Sequence, residues 1–189
     1  MRFFVCLFLA GCTASSTVPG MEPVAPRAHD REPTLVELAR TSPADDQRPL
    51  LVVFPRHACS ASASMVLVDE NATFLGAVTP GTAALLSVKK DTRRVFAVSS
   101  VDVYAAPTRW LARYRLELPP APSGVLFDTV RPSTRECGNG QYAKPTIASK
   151  EQLENALAEN DVSWLAPRTL EGQAWLDAHR ERVRELLQR

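Results

Sequence analysis

The residues best suited to chemistry are one histidine and two cysteines. His57-Ala58-Cys59 puts an imidazole and a thiol at positions i and i+2, on one side of an extended chain. Such a pair could activate a cysteine nucleophile, and with Cys137 it would offer zinc three ligands, but no Cys-x-x-Cys pair or second nearby histidine supplies a fourth. These three residues therefore give two candidate sites, a thiol nucleophile and an incomplete zinc site.

The other candidate groups form no catalytic constellation. Ser60, Ser62 and Ser64 lack the Gly-x-Ser-x-Gly elbow, and the sequence contains no phosphate-binding loop, GxGxxG or HExxH motif. His179 falls on the apolar face of the predicted C-terminal helix, which predicts a boundary histidine with its ring half covered. His29 has no partner in sequence. We expect no catalytic residue, no cofactor and no metal, with the thiol enzyme above as the alternative.

The N-terminus has the pattern of a short signal peptide. One positive charge, Arg2, precedes an unbroken apolar run from Phe3 to Ala10. Eight residues in a helix extend only about 12 Å, whereas the hydrocarbon core of a bilayer is ~30 Å thick. The run is therefore too short to be a membrane-spanning anchor.

The end of this run, Leu9-Ala10-Gly11-Cys12, resembles the lipobox of bacterial lipoproteins. The resemblance implies that residues 1–11 are removed and that acyl chains on Cys12 attach the protein to a membrane, which is its expected lipid partner. The uncharged Thr13 favours the outer membrane over the inner one. Once Cys6 leaves with the signal segment and Cys12 takes lipid, Cys59 and Cys137 remain, in a compartment that permits disulfides. We favour a Cys59–Cys137 disulfide, which closes a loop of about 79 residues and stabilises the fold by roughly 4.5 kcal/mol in the chain-entropy model.

The composition excludes a protein that binds nucleic acid through excess positive charge. The chain has 189 residues, with 22 Lys and Arg against 21 Asp and Glu, for a net charge of +1. At 45% hydrophobic and 23% charged residues it is typical of a folded domain. Six of its 15 prolines lie in residues 13–49, so we predict that 12–49 comprise the lipidated cysteine and a Pro-rich tether. A capping-box spacing within it predicts a helical turn over 34–40.

Residues 50–130 carry the pattern of a β-sandwich domain. Short runs rich in Val, Leu and Phe alternate with turn signals every 8–12 residues, which indicates antiparallel strands. Residues 109–118 alternate apolar and charged side chains most clearly. The full set is seven strands: 50–54, 64–68, 73–78, 83–88, 94–99, 109–118 and 125–130.

Residues 131–189 are predicted to be a loop and a helical appendage packed on the sandwich. Ser149 and Gln152 have the spacing of a capping box that opens a helix over 150–159. Thr169 is expected to cap a second helix over 170–187, and Trp164 with Leu165 to fill the gap against the sheet. The predicted fold is thus mainly β, an antiparallel sandwich of about seven strands with two C-terminal helices, α+β overall.

Two surface patterns have alternative interpretations. The first consists of cations around one turn, which could touch anionic headgroups but more simply form a solvated turn that blocks edge pairing: Lys89, Lys90, Arg93 and Arg94. The second is an aromatic set that suits sugar stacking, for which we favour core packing because Tyr114 falls on the buried face: Tyr104, Trp110 and Tyr114.

Two segments, Val66–Asp69 and Phe74–Thr82, resemble the hairpin of small β-sandwich modules of the PEGA type in bacterial envelope lipoproteins. The likeness covers about 40 residues and rests on a strand ending in Asp, a Gly in the return strand and a Pro-Gly turn. The resemblance implies a β-sandwich fold rather than an activity. Such modules are proposed to bind surface or envelope components, which makes an envelope protein or a glycan the expected partner. We therefore expect a lipoprotein of the bacterial envelope that serves interaction or structure, with glycan binding as an alternative.

Overall fold

The computed structural model describes residues 20–23, 44–56, 64–100, 113–120, 123–128 and 144–188. Within these ranges the chain forms ten strands and three helices. The strands are β1 Met21–Pro23, β2 Gln47–Phe54, β3 Met65–Asp69, β4 Phe74–Val78, β5 Thr82–Lys89, β6 Arg94–Ser99, β7 Arg113–Glu117, β8 Ser123–Asp128, β9 Lys144–Ala148 and β10 Ser163–Pro167. The helices are α1 Lys150–Glu159, α2 Thr169–Ala178 and α3 Arg180–Gln188.

The strands form two sheets, so the predicted mainly β, α+β fold class is confirmed. The larger sheet has the order β1-β10-β5-β2-β8-β9 and the smaller one β4-β3-β6-β7. Two pairings, β10 with β5 and β2 with β8, are parallel rather than antiparallel. Parallel neighbours need a long crossover connection, and here each connection passes through other elements. Turn signals between consecutive strands therefore could not reveal them.

The two sheets enclose the main hydrophobic core. Leu50, Val52 and Phe54 of β2 contribute to it from the larger sheet, and Leu67 and Ala97 from the smaller one. Each of these side chains is almost completely buried. The runs that predicted strands 50–54, 64–68, 73–78, 83–88 and 94–99 therefore do form the core strands.

Helix α1 covers the other face of the larger sheet. Leu51 and Val53 of β2 point away from the main core and share a second buried cluster with Leu153 and Ala156 of α1. The predicted capping box is present: the Ser149 hydroxyl accepts a hydrogen bond from the Gln152 backbone N–H, and the Gln152 side chain accepts one from the Ser149 N–H.

The predicted tether, 12–49, includes residues that belong to the folded domain. Met21–Pro23 pair with β10, and β2 already begins at Gln47 instead of Leu50. A strand of three residues at a sheet edge is held largely by backbone hydrogen bonds. It needs no run of apolar side chains, so the Pro-rich composition concealed it. The helical turn predicted over 34–40 lies outside the described residues.

The predicted C-terminal appendage is in part sheet. Residues 144–148 and 163–167 are strands β9 and β10, so Trp164 and Leu165 lie in the larger sheet rather than in a loop that fills a gap. Each strand joins a partner that is distant in sequence, β8 or β5. Their local patterns are too short to distinguish them from loops.

The predicted helix 170–187 is two helices that meet at His179. Thr169 is the first residue of α2 rather than its cap, because Arg168 occupies the N-cap position and makes no side-chain capping bond. The His179 N–H donates to the Leu176 carbonyl at 3.1 Å, which closes the last turn tightly, and Val183 N–H then bonds the His179 carbonyl. The break needs no Gly or Pro, so the sequence contains no signal for it.

Gly172 in α2 allows the helix to pack closely on the sandwich. A methyl group at this position would lie 2.2 Å from a ring carbon of Phe74 in β4. We expect Gly172→Ala to lower the free energy of unfolding by about 1–2 kcal/mol, because overpacking outweighs the roughly 1 kcal/mol that Ala contributes to a helix interior. Urea denaturation of the two chains measures this difference. In a Phe74→Leu background the loss should shrink, and a more stable Gly172→Ala chain would contradict the close contact.

Candidate functional site

One end of the sandwich gathers the connections that carry the candidate chemistry. In the larger sheet, β2 ends at Phe54, and its parallel neighbour β8 ends beside it at Asp128. In the smaller sheet, β3 begins at Met65 beside Ser99, the last residue of β6. The short β4–β5 turn joins the two sheets here, since Gly81 N–H donates to the Phe54 carbonyl at 2.7 Å. We call this the loop end.

Three connections outside the described residues start and finish at the loop end. They are 57–63 between β2 and β3, 101–112 before β7, and 129–143 between β8 and β9. The residues singled out by sequence lie in these connections: His57, Cys59, Ser60, Ser62, Tyr104, Trp110 and Cys137. Strand order therefore assigns all three connections to the same end of the domain.

The described floor of the loop end is a cluster of buried serines. Ser64, Ser99 and Ser100 are at most 8% exposed, and the Ser100 N–H donates to the Ser64 carbonyl at 2.8 Å. The Ser99 hydroxyl is buried and makes no hydrogen bond among the described residues. Nothing in the sequence distinguishes Ser99 and Ser100, because serines that follow an apolar run resemble the ordinary end of a strand.

The rim of the loop end carries exposed charge. Arg56 follows β2 and lies beside Gly81, where an added Cβ would be 3.3 Å from the Arg56 Nε. Gly81 has a φ of 81°, the left-handed conformation predicted for the Pro-Gly turn. Lys144 at the start of β9 is also exposed. A ligand at this end would meet these two cations.

The opposite end of the sandwich contains the tight turns, and we call it the turn end. The β3–β4 turn spans residues 70–73 and the β5–β6 turn residues 90–93. In the first, Asp69 accepts backbone hydrogen bonds from Asn71 at 2.9 Å and Thr73 at 2.8 Å, and Ala72 has a φ of 59°. This geometry is the one expected of an Asp that begins a turn.

Acidic groups and carbonyls offset the cations of the turn end. Lys90 donates to the Asp45 carbonyl, and the Glu70 carboxylate accepts from the backbone N–H of Arg94 at 3.2 Å. The Arg94 side chain lies 3.6 Å from Glu117. All four cations, Lys89, Lys90, Arg93 and Arg94, are exposed, as a solvated turn requires. The prediction that they block edge pairing is wrong, because β5 and β6 each have a neighbouring strand on both sides.

Arg48 is a buried arginine that sequence reasoning missed. It is 8% exposed and donates to the Thr92 carbonyl at 3.0 Å and to the Pro119 carbonyl. Its guanidinium thus connects β2, the β5–β6 turn and the segment after β7. Because its position within a predicted tether gave no sign of burial, only the tertiary contacts reveal its structural role.

A polar groove of about 340 Å³ lies between the β3–β4 turn and helices α2 and α3. Gln173 accepts from the Phe74 N–H at 2.9 Å, and Asp177 accepts from Gln173 at 3.1 Å. The Asp177–Arg180 ion pair, 2.7 Å long, and the Gln173 hydrogen bond hold the pKa of Asp177 below its usual value. Gln173, Asp177 and Arg180 therefore bond to one another, and the Gln173 side chain joins α2 to β4.

Tyr114 and His179 lie in the environments that the sequence predicts for them. Tyr114 is half-buried and packs against the main core, as the core interpretation of the aromatic set requires. His179 is likewise half-covered: its Nδ1 lies 2.8 Å from the Trp175 carbonyl and its ring 4.9 Å from the Trp175 ring. Cys12 and His29 lie outside the described residues.

No protein-family model, curated protein or solved structure matches this chain. Among the residues that the structure describes, no helix has both the length and the apolar character needed to cross a membrane.

Proposed function

We propose that this chain is a lipid-anchored protein of the bacterial envelope whose domain serves interaction or structure rather than catalysis. The observation that carries the proposal is the Leu9-Ala10-Gly11-Cys12 tetrapeptide, which ends a short apolar run that begins directly after Arg2. Lipid on Cys12 would hold the protein at a membrane. The uncharged Thr13 favours the outer one.

The order of elements supports this proposal. Cys12 is followed by only seven residues before Gly20, and β1 then pairs with β10 in the larger sheet. A lipid on Cys12 would thus be joined directly to a folded domain. Its large buried core needs no metal or cofactor for stability, because a domain of this size buries most of its apolar surface on folding.

The arrangement of the loop end supports an interaction role. Three connections of 7, 12 and 15 residues leave from the same end of a rigid sandwich. Connections on a rigid scaffold are where binding residues are usually found. We propose that the partner, an envelope protein or a glycan, binds at this end.

Substitution of the proposed lipid-bearing residue tests the anchor. We expect Cys12→Ala to abolish incorporation of radiolabelled palmitate and to leave the signal segment uncleaved, because the acylated thiol is the substrate that the lipoprotein signal peptidase requires. Globomycin, which blocks the peptidase after the thiol is acylated, should instead leave the unaltered chain as an uncleaved precursor that still carries the label. Gel mobility, label incorporation and separation of inner from outer membranes on a density gradient measure these effects.

Cys6→Ala provides a matched control, because Cys6 lies inside the segment that would be removed. This variant should be lipidated, cleaved and located like the unaltered chain. Unchanged size, labelling and fractionation of Cys12→Ala would contradict the proposal. Equal loss of label in both variants would show that the defect lies in the signal segment rather than in the acylated residue.

A further inference from the structure

We propose that the turn end of the domain, with Leu170 at its tip, lies against the phospholipid surface, and that the loop end points away from it. This inference rests on the proposed lipidation of Cys12. Beyond the anchor itself, it assigns an interaction surface at the turn end and an orientation of the domain on the membrane.

The domain holds the chain firmly at Gly20. The Gly20 carbonyl accepts a hydrogen bond from the Arg168 N–H at 2.6 Å, and Met21 then pairs with Pro167. A Cβ at Gly20 would lie 2.4 Å from the Gly172 Cα, so the backbones of the two glycines are in close contact. The link to the lipid therefore ends at Gly20, beside the start of α2.

The length of this link limits where the domain can sit. Cys12 and Gly20 are eight residues apart, which corresponds to at most about 26–29 Å when fully extended. Gly20 therefore stays within that distance of the lipid, whichever way the rest of the domain turns.

Leu170 is the exposed large hydrophobic side chain in this region. It is 87% exposed and is the one large apolar residue of that kind among the described residues. It lies between Arg168 and Gly172, which both contact Gly20. A leucine at this place can enter the boundary between headgroups and acyl chains, where apolar side chains of peripheral proteins are buried by about 5–10 Å.

The charges next to Leu170 do not prevent its side chain from entering the bilayer interface. Arg168 lies 2.8 Å from Glu22 and 3.1 Å from Glu171, so the charges beside the leucine form ion pairs with one another. The contact with the bilayer therefore depends on the link between Cys12 and Gly20 and on one apolar side chain. The exposed cations of the β5–β6 turn lie at the same end of the domain and would face the headgroups.

The register of β10 shows at which end of the domain Leu170 lies. β10 runs parallel to β5, with Ser163 opposite Thr82, and it leads into α2 at the end where β5 reaches Lys89. Leu170 is therefore at the turn end. β5 has eight residues, and a strand of that length extends about 25 Å. The loop end and its three connections are then directed into the compartment.

Fluorescence quenching at two positions that flank β10 tests this orientation. Thr169→Cys follows β10 at the turn end and keeps the neighbouring Leu170, and the control Asp161→Cys is an exposed position that precedes β10 at the other end. Each lipidated full chain is labelled with a thiol-reactive nitrobenzoxadiazole dye and reconstituted into phosphatidylethanolamine and phosphatidylglycerol vesicles that contain brominated acyl chains. The unaltered chain, labelled in the same way, corrects for dye on the native cysteines.

We expect brominated lipid to quench the label at position 169 at least about two-fold more than the label at 161, because acyl-chain contact requires insertion by several ångströms. Equal quenching, or stronger quenching at 161, in a chain that carries lipid and sediments with the vesicles would overturn the orientation alone. A chain that carries no lipid would overturn both the orientation and the proposed function. Mass spectrometry of the N-terminal peptide separates the two results.

Discussion

Phe127→Ala is expected to lower the free energy of unfolding by about 3–5 kcal/mol. Phe127 lies in β8, is fully buried, and stacks on Phe54 of the neighbouring β2 with 4.5 Å between ring centroids and 19° between ring planes. Removing its ring leaves a cavity in the main core and also removes an aromatic pair worth about 0.5–1.5 kcal/mol.

The measurement is urea denaturation of the mature chain produced without lipid, followed by far-ultraviolet circular dichroism. Phe127→Leu is the matched control, since it keeps most of the apolar volume and should lose only about 1–1.5 kcal/mol. Equal losses for the two variants, or a loss below about 1 kcal/mol for the alanine variant, would contradict the packing of β8 on β2.

The second large effect is expected from the disulfide that we propose between Cys59 and Cys137. Breaking it should lower the free energy of unfolding by about 2–4 kcal/mol, with roughly 4.5 kcal/mol as the chain-entropy value for a loop of this length. The strand order supports this pairing. β2 ends five residues before Cys59, β8 ends nine residues before Cys137, and the two strands are parallel neighbours. Both segments therefore leave the sheet side by side.

Thiol titration of the unfolded mature chain under non-reducing conditions should find no free thiol. Cys59→Ser, Cys137→Ser and the double variant should all lose about the same stability, because each removes the same single bond, whereas unrelated cysteines would give additive losses. Two free thiols in the unaltered chain would refute the disulfide. They would also make the His57–Cys59 pair a candidate nucleophile again.

The turns and the core strands could be predicted from the sequence because the signals for them are local. Alternating or continuous apolar runs identified β2 to β6, Asp69 and Gly81 marked their turns, and Ser149 with Gln152 marked the start of α1. Each of these features depends on side chains within a few residues of one another. The position of Cys12 in a lipobox is equally local, and the lipidation that it predicts awaits its test.

Strands that pair with distant partners could not be predicted in the same way. β1 has three residues in a Pro-rich segment, and β10 is a five-residue strand between two helices. Their identity as strands depends on the edge that each of them joins. The break between α2 and α3 at His179 and the burial of Arg48 are likewise set by tertiary contacts.

For the candidate site, too, the residue types could be predicted from the sequence and their placement could not. The sequence by itself determined which residues could do chemistry, His57, Cys59 and Cys137, and which one could carry lipid. Only the tertiary structure decided that their connections leave from one end of the sandwich while the chain from Cys12 enters at the other. The physical reason is that strand order is chosen by burying apolar side chains from distant parts of the chain at once, a condition that involves the whole chain and leaves no mark in any short stretch of it.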